Sequence, residues 1–208
     1  MTILASTIIN AARFTLMDAA SATWSDAVLL ADLNSAERKV CTLKPEAYPL
    51  RATVNMVAGN KQTLPAGGIA VLDIYANVSN GQTIRLVDRD LMDEAARFWA
   101  AATPEALVQD WAADPRDPTR WDVLPPNDGT GQVEVLYGAV PTPIATTGDP
   151  INLTDVYEGV LKAFVLAEAY AHSSKRYDPQ KSAFYEAQGM QLIGIKSQSQ
   201  VAVAPHVG

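Results

Sequence analysis

The chain has 208 residues and a mass of 22.3 kDa, is 48% apolar and 19% charged, and holds 13 Pro and 12 Gly. That composition predicts a folded chain and excludes the disordered, collagen-like and disulfide-framework classes. Its 16 bases against 23 acids give a net charge of -7 with no basic stripe, which excludes a sequence-specific DNA reader, since phosphate binding needs clustered Lys and Arg.

The first element in chain order is a helix between Thr2 and Asp18, because Leu4, Ile8, Ala11 or Ala12, and Thr15 or Leu16 recur at helical spacing. This N-terminal stretch lacks the basic start and small-residue cleavage site of a signal peptide, so a soluble, intracellular chain is expected. Thr23, Trp24, Ser25 and Asp26 read as the start of a second helix, with a hydroxyl cap and an early acid. Leu29, Leu33, Ala36 and Val40 form its apolar face, and Pro45 and Pro49 close it. Together these two helices make an antiparallel hairpin over residues 1–49.

After Pro49 the period changes. Arg51 to Val57, Gln62 to Leu64, Ile69 to Ala76 and Thr83 to Val87 are short β-rich runs parted by turn residues such as Asn80-Gly81. Asp88 to Ala102 reads as a short helix opened by acids. Arg120 to Leu124 and Gln132 to Tyr137 read as extended, with Pro125 to Gly131 as the loop between them. Residues 50–150 are therefore expected to form one β-rich lobe. Helical period resumes from Leu153 to about Ser173, with Thr154 or Asp155 as cap. Val156, Val160, Phe164 and Ala167 recur along it, and apolar residues lie on more than one face. Its longest apolar stretch, Ala163 to Ala171, is interrupted by Glu168 and is too short to cross a membrane. Asp178-Pro179 opens a last helix to about Lys196, and Ser197 to Gly208 has no period and reads as a flexible tail. The expected fold class is α+β: a helical bundle from residues 1–49 and 151–196, a β-rich lobe inserted between them, and a tail at 197–208.

Chemistry-bearing motifs are sparse. One cysteine, Cys41, and two histidines, His172 and His206, cannot build an intramolecular disulfide or a closed zinc site. Asp88, Asp90, Asp93 and Glu94 lack the fifth-position ligand and sixth-position Gly of a calcium loop, Met92 and Asp93 standing there, and read as acids at a helix N-terminus. His172 beside Ser173 and Ser174 has no Gly-x-Ser-x-Gly elbow and reads as a cation at a helix C-terminus. Gly129 and Gly131 lack the third glycine of a dinucleotide fingerprint, and no phosphate loop is present. Trp24, Trp99, Trp111 and Trp121 read as core anchors. No catalytic residue, metal or cofactor is expected. Because the helix around Phe164 is apolar on several faces, Val160, Phe164 and Tyr157 are the candidates for a subunit interface. Residues 88–128 hold ten acids and four bases, a charge that suits a surface past which phosphates move without sticking.

Six segments in order carry a resemblance. They are Trp24-Ser25-Asp26 before Leu29, Leu33 and Asn34; Ala58 to Pro65; Asn80-Gly81-Gln82 leading to Val87-Asp88-Arg89; Trp121 to Pro126; Val133 to Tyr137 with Pro141 and Pro143; and Phe164 to Ala169 followed by Asp178-Pro179. Taken together, over roughly residues 3 to 195, this set resembles the head-to-tail adaptor family of tailed phages, related in architecture to the tail tubular proteins beneath the portal of short-tailed phages. The resemblance implies a structural virion protein assembled in the host cytoplasm. It further implies a neck ring of about twelve copies that joins the portal protein to a tail or nozzle protein and encloses double-stranded DNA without reading it, away from any membrane. It also implies a C-terminal segment reaching the portal, which makes Gln198, Val201, Val203 and Pro205 candidate portal contacts, and a DNA channel for which Asp88, Asp90, Asp93 and Glu94 are candidate wall or rim acids. Two alternatives stay open at this point: another neck or tail completion protein, and a small-ligand-binding protein or enzyme using the β lobe.

Overall fold

The computed structural model describes residues 3–90, 102–172 and 176–201. It divides into two compact units, Met1–Ala47 with Pro141–Gly208, and Tyr48–Val140. The class is mixed α+β, with four helices in the first unit and two sheets in the second among the described residues.

In the first unit α1 spans Ala5–Leu16 and buries Ile8, Ile9, Ala12 and Leu16 along one stripe. No side chain caps its start. The Ala5 and Ser6 N–H groups donate instead to the carbonyls of Asp149 and Thr147, at 2.9 and 2.8 Å, which satisfies donors that a helix start otherwise leaves to solvent. Ile144 is tied to α2 by a reciprocal pair: its N–H donates to Asn34 Oδ1 at 2.7 Å, and Asn34 Nδ2 donates to its carbonyl at 3.1 Å. These bonds place residues 141–150 with the helices, where the sequence reading put them in the β lobe.

Helix α2 spans Asp26–Leu43, and Ser25 Oγ accepts the Val28 N–H at 3.4 Å. A 3-10 turn over Asp155–Tyr157 leads into α3, Glu158–Ala171. The helical backbone thus starts later than the periodicity suggested, and Thr154 makes no capping bond. Burial on α3 covers nine residues from Val160 to Tyr170 because it packs against α1, α2 and α4. Helix α4 spans Pro179–Val201; Pro179 takes the first helical position, where a missing N–H costs nothing. It approaches α3 closely at Gly189, where a Cβ would stand 2.5 Å from the Phe164 ring.

In the second unit β1 (Pro49–Asn55), β7 (Gln132–Ala139) and β3 (Gly68–Asn77) form an antiparallel sheet in the order β1-β7-β3. The other sheet has the order β2-β6-β5-β4, from β2 (Gly59–Thr63), β6 (Arg120–Asn127), β5 (Asp110–Ala113) and β4 (Arg85–Leu86). One hydrophobic cluster joins them, with Ile74, Val133 and Val135 from the first sheet and Trp111, Trp121 and Val123 from the second. Strand β6 runs through Pro125 and Pro126, which the sequence reading placed in a loop. Its partner β2 has a bulge between Gly59 and Lys61 opposite this stretch, and β5 pairing ends at Leu124. The two prolines therefore owe no ladder N–H. Gly81 turns the chain after Asn80 at a φ of 71°, a left-handed conformation that glycine adopts without strain.

Candidate interaction surfaces

The three residues expected at a subunit interface are buried within the single chain: Val160 and Phe164 are 1% exposed and Tyr157 is 5% exposed. Residues of this kind stabilise the fold, at about 1.5 to 3 kcal/mol for a fully buried large side chain.

The acids divide. Asp88 and Asp90 are exposed, and Asp88 Oδ1 accepts the Asp90 N–H at 2.8 Å. The helix expected over Asp88 to Ala102 lies for the most part outside the described residues. Asp93, Glu94 and Trp99 lie outside the described residues. Three further acids of the 88–128 segment carry their own arginine: Asp110 with Arg85 at 2.9 Å, Asp117 with Arg120 at 3.1 Å, and buried Asp122 with Arg89. Asp90 and Asp114 also share a hollow with Lys61, Arg89 and Arg116. The surface is thus of mixed sign, weaker in its repulsion of phosphate than the charge count suggests.

At the C-terminus, Gln198 and Val201 were expected in an aperiodic tail. The backbone is helical through Val201. Adding residues to an existing helix needs no new nucleus, so a polar run without apolar period can still extend it. Val203 and Pro205 lie outside the described residues.

Inside the helical unit, buried polar groups fasten loops to helices. Arg13, 6% exposed, donates to the Trp24 carbonyl at 2.8 Å and to Asp26 Oδ1 at 2.6 Å. Burial alone would raise the Asp18 carboxyl, but N–H donors from Trp24, Thr23 and Ala22 and the charge of Arg13 hold it below its ordinary range. Trp24 Nε1 donates to the Ala169 carbonyl at 3.0 Å, anchoring the loop before α2 to the end of α3. Glu37, 1% exposed, accepts from the Asn152 N–H at 2.8 Å and from Asn152 Nδ2 at 2.7 Å.

His172 closes α3 as its C-terminal cap, and its Nε2 lies 2.8 Å from Asp32 Oδ1 on α2. Burial pushes the Asp32 carboxyl above its ordinary range; the His172 contact pulls it back, and Glu168 adds to the rise. Cys41 is fully buried, and burial with neighbouring Glu37 pushes its thiol up to about 12, which leaves no thiolate for chemistry. Among the described residues no three His, Cys, Asp or Glu side chains are grouped to hold a metal ion. No helix of the described residues is long and apolar enough to cross a membrane.

The sequence reading passed over an exposed apolar patch. Phe14 is 87% exposed, Met17 86%, Phe184 63% and Tyr177 57%. Met17 and Tyr177 line one hollow with Tyr170 and Lys181. The Arg176 guanidinium donates to the Leu16 carbonyl and, at 3.4 Å, to that of Met17, joining the end of α1 to the approach to α4. Phe184 meets Tyr185 edge-on at 5.2 Å, and Tyr185 stacks on Tyr170 at 5.9 Å. Tyr177 also lines a second hollow, with Ala167, Ala171, Ala183, Glu168 and Glu186. A signal was available in the sequence: Phe14 falls opposite the stripe of Ile8, Ile9, Ala12 and Leu16.

A family model described as SU10 adaptor protein matches residues 3–207. No curated protein matches the chain.

Proposed function

The chain belongs to the SU10 adaptor protein family, a family of bacteriophage structural proteins, and from that membership we propose that it is a ring-forming connector between the portal and the tail. In this reading the four helices form one bundle, and Tyr48–Val140 is a lobe inserted in the chain between its two halves. About twelve copies close around the DNA channel. The segment after α4 anchors the ring to the portal protein, and the β-rich unit meets a tail or nozzle protein. Double-stranded DNA passes without being read. The work is mechanical and not catalytic.

The observation that carries this reading is the family match across nearly the whole chain. The charge agrees with it: at a net -7 the chain has little to hold a passing polyanion. A phage with a stop codon early in this gene tests it. DNA-filled heads without tails are the expected product. Complete infectious particles assembled without the protein would refute the connector role.

A further inference from the structure

We propose that the patch of Phe14, Met17, Tyr177 and Phe184 is the surface on which a second copy of this chain packs. The inference rests on the adaptor reading and deepens it by naming the contact surface.

The exposed area supports this. A Phe or Tyr side chain offers about 150 to 250 Å². At the exposures of these four residues, they present roughly 600 Å², most of the ~800 Å² per partner in a standard interface. That stands at the top of the range, about 300 to 600 Å², of the largest apolar patch on a monomeric protein, where such patches are often functional. Aromatic and methionine side chains are also those enriched at the centres of protein interfaces.

Charge selects the occupant. Nucleic acid or an anionic lipid surface would need free cations beside the aromatic rings. Among the described residues the cations beside the rings are engaged: Arg176 on the carbonyls of Leu16 and Met17, and Lys181 with Asp178 at 3.5 Å. Copies of a chain with net charge -7 repel one another, and they meet at least cost where the surface is neutral. This patch is such a place. The same chain also has a hollow lined by Ala167, Ala171, Ala183 and Tyr177, which is where the protruding Phe14 ring of the neighbour would sit.

The test uses the full chain with Phe14→Glu and Met17→Asn together. Both side chains point to water, and Asn tolerates the left-handed backbone at Met17, whose φ is 53°. Native mass spectrometry and light scattering across a concentration series, with thermal melting alongside, read assembly and fold separately. Wild type should assemble. The double variant should melt at the same temperature and need a concentration about 30-fold or more higher to assemble. Leu86→Glu, at an exposed apolar position of the β-rich unit, should leave assembly unchanged. If the Phe14/Met17 variant melts early, Phe184→Gln on α4 repeats the test from the other side of the patch. A folded variant that assembles like wild type overturns the patch assignment and leaves the connector reading standing. A wild-type chain that stays monomeric overturns self-contact, and the phage with the stop codon then judges the connector reading by itself. A Phe14→Cys cross-link that captures only the portal or tail protein from virions also overturns it.

Discussion

Gly189 sets how closely α4 can approach α3, and substituting it should reveal a conflict between two local effects. Alanine is the better helix former by about 0.8 to 1 kcal/mol. At this site its Cβ would stand 2.5, 2.8 and 2.9 Å from three atoms of the Phe164 ring, which is 1% exposed and cannot swing away. Overpacking a tight core costs about 1 to 3 kcal/mol, so Gly189→Ala should lose on the order of 1 kcal/mol net, a fall in Tm of about 2 to 4 °C at this chain length. Gly194, on the same helix, has nothing within 4 Å of its Cβ position. There Gly194→Ala should stabilise by about 0.5 to 1 kcal/mol. Equilibrium urea unfolding of both variants, alone and in a Phe164→Ala background, separates the terms. Phe164→Ala by itself should cost about 3 to 5 kcal/mol, but with the ring gone Gly189→Ala should change sign and stabilise. A Gly189→Ala that stabilises wild type, or that costs as much without the ring as with it, would refute the close-approach reasoning.

Cys41, fully buried with its thiol pushed up to about 12, should resist a maleimide at pH 8 in the native chain and label rapidly in urea; equal rates in the two states would contradict its burial. The Asp32 carboxyl is raised in the folded state, so charging it opposes folding as pH rises through the folded value. Asp32→Asn, which keeps a hydrogen-bonding oxygen for His172, should therefore raise Tm at pH 7, with the gain shrinking toward pH 4; an equal gain at both would exclude ionisation as its cause. Asp18 has the opposite sign: its lowered value gives stability present above the unfolded range and lost as pH falls through the folded value, so Asp18→Asn should flatten the acid limb of the stability curve. For the C-terminus, deleting residues 202–208 leaves α4 whole. Unchanged melting with lost portal binding is the expected result, and unchanged binding would remove the anchor.

How far the fold was legible in the residues differs by element. Helices α1, α2 and α3 carry apolar stripes of the right period, and the spread of apolar residues around α3 forecast its several packing partners. Residues 141–150 carry no such stripe. Their place is set by backbone carbonyls of Thr147 and Asp149 and by Asn34, contacts that leave no periodic mark. Strand β5, Asp-Trp-Ala-Ala, contains residues disfavoured in strands and is held by its neighbours on either side. An apolar helix reads the same whether its own chain or another covers it, so the residues alone do not tell that Val160 and Phe164 are buried within the single chain. Phe14, out of phase with its own stripe, is legible in the sequence as an exposed ring.

The carbonyls that complete the first turn of α1 have a consequence for biosynthesis. Asp149 and Thr147 follow the entire β-rich unit in the chain, and α3, which covers the apolar faces of α1 and α2, follows them. At about 5 to 20 residues per second on the ribosome, the two leading helices wait on the order of 10 s for their cover. The β-rich unit, one continuous segment, can close in that interval. Nascent chains should therefore fold from the middle outward, with Ile8, Ile9, Leu29 and Leu33 exposed to chaperones until the last helices emerge.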